Sequence, residues 1–535
     1  MRKIYLKNIK ESIVLILSIV LLCSCHNQKE TKHTYSNPVI AGEIPDPSII
    51  RVGKTYYATG TSFDFAPNYP IYESFDLINW KQIGTVFSEP PSWSSDDFWA
   101  PELFYNDDTF FVYYTTKRKD TKVACIGVAS TKDIYKGFTD HGIIIEWGEE
   151  AIDGFVFKDE DDKLYITWKA YGLTDGRDVE ILASELSADG LKLVGNHFTL
   201  TDYSEGWIGA GDEGQCLFKR NGFYYLMYSI GGCCDNKCDY RVKIARSKYL
   251  KSGWEQYPDP ILKGGTEWVC TGHGTLVETN DNSYYYLYHA YNSKDFEYVG
   301  RQGLLDELVW NEDTNWPYFK NGDTPSVEAK TPFPNTVQHH DSVFKQDFSN
   351  QKEQVIWEWD LNYPSPKWHV ENGNLNITAQ DSSSSFLGIR PQKGDYSFEV
   401  ELISGSGLSG IGVYSNRQYH IALAASDSEI QLYKVENGIK EILFQKSIKD
   451  TKTIHLKYSS ISGRFLQFFW SENGKDWMPL KVNDENKIDA SFVAQWGYSP
   501  RIGFIVQGDT SMRHQYKNIK VEYDFSLKEK IISSL

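Results

Sequence analysis

The sequence predicts an all-β protein, a five-bladed β-propeller followed by a β-sandwich. A hairpin pattern, in which a short apolar strand is followed by a turn and an aromatic strand, recurs through the first three-fifths of the chain. Its copies are roughly 50 to 60 residues apart, the period expected of propeller blades. Beyond the last copy, short segments alternate apolar and polar residues between Gly and Asn turns, which is typical of a β-sandwich.

The hairpin pattern is clearest between Glu213 and Ser229, where the turn is Asn221-Gly222. The first strands of the blades line the axis of a propeller, so residues at equivalent ends of those strands gather at one mouth. The ionisable residues placed in this way are Asp46, Glu102, Asp153, Glu213 and His273. The pattern therefore predicts a carboxylate-rich pocket, although any one of these residues alone could be a turn or cap residue.

The chain begins with basic residues and an apolar run over 13–22, which is too short to span a bilayer comfortably. Residues 1–25 are therefore predicted to be an export signal, and residues 26–36 a tether. Leu22-Cys23-Ser24-Cys25 resembles a bacterial lipoprotein cleavage box, in which Cys25 receives the lipid. We expect a lipoprotein attached to the outer membrane, on its periplasmic face or at the cell surface; the alternative is a simple secretory signal with incidental cysteines.

Composition and length narrow the function and the domain organisation. The formal net charge of -17 argues against nucleic acid as a partner, because phosphate binding needs a cationic face. A chain of 535 residues is long enough for two or three domains. We predict the propeller over 37–325, a linker over 326–345 and the sandwich over 346–526.

Three of the cysteines, Cys233, Cys234 and Cys238, lie in one glycine-rich loop after the fourth hairpin. Thiols of an exported protein can pair. We therefore expect a short disulfide between Cys238 and either Cys233 or Cys234. A structural zinc site is the alternative, but it would need four ligands in paired spacings that this loop lacks.

Several aromatic residues stand beside the hairpins rather than inside them. Exposed rings in loops at a pocket mouth can stack on sugar faces, so Phe65, Trp99 and Trp207 are candidate substrate-binding walls. Plain packing in the blade core is the alternative for each of them.

A set of short motifs, in this order, resembles glycoside hydrolase family 43: Asn37-Pro38-Val39, Pro45-Asp46-Pro47-Ser48, Phe98-Trp99-Ala100-Pro101-Glu102, Ile152-Asp153-Gly154, Glu213-Gly214, Gly272-His273-Gly274, Gly300-Arg301, Trp310 and Trp316-Pro317. The resemblance implies a five-bladed propeller that cleaves polysaccharides containing arabinose, xylose or, less often, galactose, with inversion at the anomeric carbon. Gln215-Cys216 departs from the family, in which a proline is common at this point, and leaves the preferred sugar open.

The resemblance also implies roles for the three carboxylates. Asp46 would be the general base, Glu213 the general acid, and Asp153 the residue that orients the acid and adjusts its pKa. The chemistry needs the same set, because inversion requires one carboxylic acid for the leaving oxygen and one carboxylate to activate water. A third carboxylate raises the pKa of the acid, since two like charges in one pocket resist simultaneous ionisation.

Three further residues receive roles beside these carboxylates. By the resemblance, Arg301 would reach the substrate, and His273 would lie near an axial channel in which many members hold a calcium ion or an ordered water. The chemistry itself requires no cofactor. Glu102 is a fourth candidate carboxylate, but its apolar neighbours favour a wall of the pocket.

We expect an exo-acting glycosidase that releases single arabinofuranosyl or xylosyl units from plant cell-wall polysaccharides or oligosaccharides. The alternatives are a surface carbohydrate-binding protein without turnover and the same hydrolase acting on galactose-containing glycans. The C-terminal sandwich is similar to the lectin-like domain that often follows the propeller in this family. It would close one side of the pocket as a lid, with independent carbohydrate binding as the alternative.

Overall fold

The computed structural model describes residues 33–174, 177–200, 212–235, 237–339, 342–348, 356–379, 384–449, 451–508 and 512–523. Five four-stranded antiparallel sheets follow one another along the chain, and two larger sheets come after them. The predicted fold class is therefore confirmed. The expected export signal, including Cys25, lies outside the described residues. Within the described ranges, no helix combines the length and the apolar character needed to cross a membrane.

Each blade is built from strands that are consecutive in the chain. Blade 1 contains β2 (Ser48–Val52), β3 (Thr55–Thr59), β5 (Asn68–Ser74) and β6 (Lys81–Phe87). Two short strands lie outside this sheet: β1 (Thr34–Ser36) precedes the blade, and β4 (Phe65–Ala66) lies between β3 and β5. Blade 2 contains β7 (Trp99–Asn106), β8 (Thr109–Lys117), β9 (Ala124–Thr131) and β10 (Thr139–Ile145). Blade 3 contains β11 (Glu150–Lys158), β12 (Leu164–Thr174), β13 (Arg177–Leu186) and β14 (Leu193–Thr199).

The last two blades follow the same plan. Blade 4 contains β15 (Glu213–Arg220), β16 (Phe223–Ile230), β17 (Arg241–Ser247) and β18 (Glu255–Gln256). Blade 5 contains β19 (Trp268–Glu278), β20 (Tyr284–Asn292), β21 (Arg301–Trp310) and β22 (Pro317–Phe319), with the single-turn helix α1 (Phe296–Val299) between β20 and β21.

The first strands of the blades form a closed ring around the axis. Strands β2, β7, β11, β15 and β19 each contact the next one, and β19 contacts β2. Most aromatic residues of the second strands are buried, among them Tyr113, Trp168, Tyr225 and Tyr286. The aromatic part of the repeat is thus the packing of the blades, and the first strands are free to present polar groups at the axis.

The boundary between the two domains differs from the prediction. The expected linker over 326–345 contains β23 (Glu328–Lys330), which pairs with β1, and the start of β24 (Val343–Gln346), which belongs to the sandwich. Residues 34–36, assigned to the tether, are therefore part of the propeller domain. A three-residue strand is too short to show alternation, and its partner lies at the far end of the domain, so no local pattern reveals the pairing.

The sandwich consists of a six-stranded sheet, in the order β28-β38-β30-β31-β32-β33, and a nine-stranded sheet. Its remaining strands are β25 (Trp359–Asp360), β26 (Lys367–Glu371), β27 (Asn374–Thr378), β28 (Ser385–Ile389), β29 (Tyr396–Ile403), β30 (Ser409–Asn416), β31 (Tyr419–Ala425), β32 (Glu429–Glu436), β33 (Ile439–Ser447), β34 (Thr453–Ile461), β35 (Phe465–Ser471), β36 (Met478–Pro479), β37 (Ile488–Asp489), β38 (Arg501–Val506) and β39 (Arg513–Glu522). The nine-stranded sheet runs β26-β27-β39-β29-β34-β35-β36, with β24 added to β39 and β37 to β35. Buried side chains such as Val400, Leu432, Leu456 and Phe504 belong to the main core of this domain.

The sandwich is fastened to the propeller by backbone pairing and by buried ion pairs. Strand β25 pairs with β4, so the two domains share a small sheet. Arg501 of the sandwich, which is fully buried, pairs with Glu43 of the propeller at 2.8 Å and with Glu358. Glu43 also accepts a hydrogen bond from the backbone N–H of Ser499 at 2.6 Å. These contacts hold the loop 494–499 of the sandwich beside the propeller.

Candidate active site

The ionisable residues of the first strands meet at one end of the axis. Asp46 directly precedes β2, Asp153 lies in β11, Glu213 opens β15, and His273 lies in β19. His273 Nδ1 is 3.3 Å from a carboxylate oxygen of Asp46 and 3.8 Å from one of Asp153. The backbone N–H of Gly214, next to Glu213, donates to Asp153 Oδ2 at 3.0 Å. The structure thus brings together the three carboxylates and the histidine that the repeat singled out.

Local irregularities in the strands turn these side chains toward the mouth. Asp46, Asp153 and His273 have positive φ angles of 53°, 58° and 36°. The pairing register of β11, β15 and β19 shifts next to the site residue in each case, as expected for bulges that redirect a side chain. Gly214 has φ +61°, and an added Cβ would lie 2.7 Å from the His273 ring. Only glycine therefore fits at this point of the motif.

Asp46 is held as a carboxylate by four partners. Thr61 donates to Oδ2 at 2.7 Å, and Arg301 Nη1 lies 3.2 Å from Oδ1. His289 accepts the backbone N–H of Asp46 at 3.0 Å. Burial alone would raise the pKa of Asp46, but the charge of Arg301, followed by His273 and His289, holds that pKa far below its usual value. A permanently ionised carboxylate is suited to accept a proton from water.

Glu213 is paired at both carboxylate oxygens. Lys169 Nζ lies 2.8 Å from Oε2, and the Tyr240 hydroxyl donates to Oε1 at 2.9 Å. Burial disfavours the ionised form of Glu213, but the charge and hydrogen bond of Lys169, with His273 and Tyr240, lower its pKa below the usual value. A raised pKa was expected for this residue. The difference arises because the sequence pattern did not reveal the buried lysine.

Asp153 carries the raised pKa instead. Burial and the charges of Glu213 and Asp46 raise the pKa of Asp153 to about 6, against the opposing effect of His273 and Lys169. Asp153 and Glu213 lie in one pocket, and the backbone N–H next to Glu213 donates to Asp153, so the charge of one carboxyl group affects the pKa of the other. Of the two, Asp153 keeps its proton to the higher pH, since Glu213 has Lys169 as its own cation.

The axial channel below the carboxylates is narrow. A cavity of about 10 Å³ is lined by Asp46, Glu102, Asp153, Gln215 and His273, among others, which is room for about one water molecule. Burial raises the pKa of Glu102 to about 8, and Ser48 donates to it at 2.7 Å. Among the described residues, Gln215 Oε1 is buried without a hydrogen-bond partner.

These channel residues do not fit a calcium ion. Calcium prefers six to eight oxygen ligands. In the described part of the chain, no group of three or more His, Cys, Asp or Glu side chains has the arrangement needed to hold a metal ion. A single water molecule, which could donate to Gln215 Oε1, suits the volume and the polarity of the channel better, and the chemistry below uses no metal at His273.

Arg301 connects the site to the sandwich domain. Its side chain is buried, and its second guanidinium nitrogen, Nη2, donates to the backbone carbonyl of Gly497 at 3.3 Å. Gly497 in turn donates its N–H to the carbonyl of Cys234 at 3.0 Å. The expected contact of Arg301 with the site is thus directed at Asp46, and one side of the mouth is bordered by the sandwich loop. Trp496, in that loop, is largely exposed.

The three aromatic candidates lie in different environments. Phe65 is only 1% exposed, because β4 pairs with the sandwich and its ring packs on Phe386 and Tyr498. Its assignment as a sugar-stacking wall is therefore wrong. Trp99 is half-buried, with Lys117 Nζ 5.4 Å from its ring centroid, and remains a candidate wall. Trp207 lies outside the described residues.

The cysteine loop pairs differently from the prediction. Cys233 is bonded to Cys234, and Cys238 is bonded to Cys270. The predicted pairing of Cys238 within the loop is therefore wrong. The loop folds back on the start of β19, where Tyr240 accepts a backbone hydrogen bond from Thr271, and this brings Cys270 to Cys238. The pairing leaves no thiolate in this loop for zinc.

Sequence reasoning missed four residues that contact Asp46 or Glu213, namely Thr61, Lys169, Tyr240 and His289, and it missed Gly497, which contacts Arg301. A signal exists for two of them. Lys169 directly follows Tyr165-Ile166-Thr167-Trp168, and His289 directly follows four aromatic or apolar residues. A lone ionisable residue in a strand of this kind is buried, and a buried ionisable group needs a partner.

A propeller that gathers the carboxyl groups of Asp46, Asp153 and Glu213 at one mouth has the groups of an inverting glycosidase, which needs one carboxylate for water and one carboxylic acid for the leaving oxygen. The model of Glycosyl hydrolases family 43 matches residues 35–317. The chain belongs to this family and is a glycosidase.

Curated relatives and solved structures agree with this family. The chain is 27% identical to a xylan 1,3-beta-xylosidase from Vibrio sp., over 84% of this chain and 90% of the relative. It is 26% identical to a non-reducing end alpha-L-arabinofuranosidase from Bacteroides ovatus, over 82% and 83%. The structure of a xylan beta-1,4-xylosidase from Bacillus halodurans has a TM-score of 0.78 at 22% identity, covering 91% of this chain and 99% of that one, and supports the shared two-domain fold.

Proposed function

We propose that this glycosidase removes single xylosyl or arabinofuranosyl units from the non-reducing ends of plant polysaccharides or oligosaccharides, with inversion. The observation that carries the proposal is the meeting of Asp46, which Arg301 and Thr61 hold, with Asp153 and Glu213 at one mouth. The activities of two relatives, a xylan 1,3-beta-xylosidase and a non-reducing end alpha-L-arabinofuranosidase, support these two sugars.

In this proposal Asp46 is the general base. Thr61 and Arg301 fix its carboxylate, and Arg301 keeps it ionised. Asp46 then removes a proton from the water that attacks the anomeric carbon from the face opposite the leaving group. Because Arg301 is occupied by Asp46 and by the carbonyl of Gly497, its contribution is to hold the base in place.

Glu213 is the general acid in this proposal. Its side chain is 16% exposed and that of Asp153 is 7% exposed, so Glu213 is the member of the pair that can reach a leaving oxygen. The proton that Asp153 carries in the free enzyme has to pass to Glu213 when a substrate is bound. Asp153 thus supplies the proton and, through the N–H of Gly214, orients the acid.

The exo mode of action is supported by the position of the sandwich. Loop 494–499 lies against Arg301 and the loop of Cys234, so it borders the mouth on one side. A mouth with a closed side favours the end of a chain over its interior. The carbonyl of Gly497 beside Arg301 suits the lid role of this domain better than independent carbohydrate binding.

The test is hydrolysis of a panel of 4-nitrophenyl glycosides, β-D-xyloside, α-L-arabinofuranoside and β-D-galactoside, followed by plant xylans and arabinans. We expect release of single pentose units by the wild type and none by Asp46→Asn. Activity on the galactoside alone would redirect the proposal to galactose-containing glycans. Binding of the polysaccharides without any turnover would refute it in favour of a carbohydrate-binding protein.

We also propose that the mature protein is a lipoprotein of the outer membrane, anchored through Cys25. The Leu22-Cys23-Ser24-Cys25 box after an apolar run supports this location. A position at the membrane would bring the enzyme to oligosaccharides that enter or approach the cell.

A further inference from the structure

We infer that Lys169 is a positioning residue for the general acid: it holds Glu213 as a carboxylate in the free enzyme and thereby sets the pH above which activity is lost. The inference rests on the proposed role of Glu213. Lys169 lies on β12, the second strand of blade 3, outside the ring of first strands that supplies the carboxylates. No motif that supports the family resemblance includes it.

The geometry restricts Lys169 to this task. Its side chain is 1% exposed, so it cannot swing into solvent. Its Nζ lies 2.8 Å from Glu213 Oε2 and 4.5 Å from the centroid of the Tyr171 ring. The ammonium group is therefore held between an aromatic face and one oxygen of the acid, and it cannot bind a sugar directly.

Stability does not explain a lysine at this position. A buried ion pair contributes little net stability compared with well-packed apolar residues of similar size. The neighbouring positions of β12 that are buried carry apolar or small residues, including Trp168 and Ala170. A buried cation beside a carboxylate at a pocket mouth is therefore better explained by function.

The charges at the mouth show what the lysine does. The groups that act on Glu213 are Lys169 from β12, Tyr240 from the segment before β17, His273 from β19 and Asp153 from β11. Asp46 has Arg301, and Glu213 has Lys169, whereas Asp153 has no cation of its own in hydrogen-bond range among the described residues. Asp153 is therefore protonated more readily than Glu213, and Lys169 opposes protonation of Glu213 in the free enzyme.

Removing the charge has a directional consequence. An opposite charge within 4–6 Å typically shifts a carboxyl pKa by about 1–3 units. Lys169 lowers the proton affinity of both members of the pair, so Lys169→Met should raise the pH at which the pair loses its proton. The basic limb of the kcat/KM profile should then move upward by about 1 pH unit or more. Lys169→Arg retains the charge and should leave the limb close to its original position.

The experiment compares pH profiles of kcat/KM for the wild type, Lys169→Met and Lys169→Arg on the aryl pentoside that the wild type hydrolyses. Lys219→Met is the matched control, because Lys219 pairs with Asp159 at 3.0 Å away from the site carboxylates. We expect an upward shift for Lys169→Met alone. Its activity should also fall more on an alkyl glycoside than on a 2,4-dinitrophenyl glycoside, since only the acid step depends on the position of Glu213.

Two results would overturn the inference. One is a basic limb of Lys169→Met that coincides with that of the wild type, and the other is an equal shift in Lys219→Met. If Lys169→Met does not fold, Lys169→Gln, which keeps a hydrogen-bond donor without charge, carries the same test. An inactive wild type would refute the proposed function, whereas an active wild type with an unshifted Lys169→Met limb refutes only the role of Lys169.

Discussion

Replacing Arg501 by methionine should destabilise the protein more than any comparable change at its surface. Arg501 is 0% exposed, and its partners Glu43 and Glu358 are 1% and 5% exposed. Glu358 keeps a second cation, Arg390, at 2.6 Å. Among the described residues, the Glu43 carboxylate then keeps only the hydrogen bond from the backbone N–H of Ser499, so the substitution leaves a buried carboxylate without a cation in hydrogen-bond contact. Breaking a buried pair in this way costs about 3–5 kcal/mol.

The measurement is urea unfolding of Arg501→Met, followed by tryptophan fluorescence and by residual activity. Arg464→Met is the matched control in the same domain. Its pair with Asp489 is as short, 2.6 Å, but the two side chains are 57% and 41% exposed. Exposed pairs contribute about 0–1 kcal/mol, so the control should unfold near the wild-type midpoint.

A double variant distinguishes the effect of an unpaired buried charge on Glu43 from the loss of packing around Arg501. Glu43→Gln in the Arg501→Met background removes the lone buried carboxylate and should recover part of the stability. Activity should fall together with stability, because the loop that carries Gly497 ends next to Ser499 and Arg501. The reasoning is refuted if Arg501→Met is as stable as Arg464→Met, or if the added Glu43→Gln substitution destabilises the protein further.

Three other predictions test the site and the location. Glu213→Gln should lose most activity on alkyl glycosides but far less on 2,4-dinitrophenyl glycosides, whereas Asp46→Asn should be inactive on both. Equal losses of Glu213→Gln activity on the two substrates would argue against the role of Glu213 as acid. Wild-type kcat/KM should fall as pH rises through about 6, because the raised pKa of Asp153 marks the loss of the proton that the acid needs. Asp46, with its lowered pKa, stays ionised and adds no acidic limb in the range where the protein is folded. A profile that stays flat from pH 5 to about 8 would contradict the proposed supply of this proton by Asp153. Cys25→Ala should move the protein from the membrane to the soluble fraction on cell fractionation, and a variant that stays with the membrane would refute the lipid anchor.

The repeat was sufficient to predict the fold and the set of carboxylates. Asp46, Asp153 and Glu213 occupy equivalent ends of first strands, and a propeller places such ends together whatever their distance in sequence. The place of a residue within its repeat can be recognised from the neighbouring residues alone, so a sequence pattern is enough to predict it. The same holds for the sandwich, whose strands alternate along their own length.

The contacts that the sequence did not reveal are non-local. The pairing of β1 with β23, the bond between Cys238 and Cys270, and the burial of Phe65 each depend on a partner from a distant segment or from the other domain. Short strands and single side chains carry no periodicity that would indicate such partners. The raised pKa was placed on Glu213 rather than Asp153 for the same reason, because Lys169 acts from the strand behind.

The residues that set the charge of the site do not occupy equivalent positions in the repeated blades. Each carboxylate comes from a first strand or the residues just before it, but the cations come from unrelated positions, Lys169 from a second strand and Arg301 from a third strand. The carbonyl that accepts a hydrogen bond from Arg301, that of Gly497, belongs to the sandwich. A symmetric ring of carboxylates could not assign one acid and one base, because equivalent environments would give equal proton affinities. The asymmetry of the cations removes this equivalence: Arg301 lowers the pKa of Asp46, Lys169 lowers the pKa of Glu213, and the raised pKa falls to Asp153. Division of roles among the carboxylates therefore follows from where the cations lie, and exchanging a cation should change the pH dependence before it changes the fold.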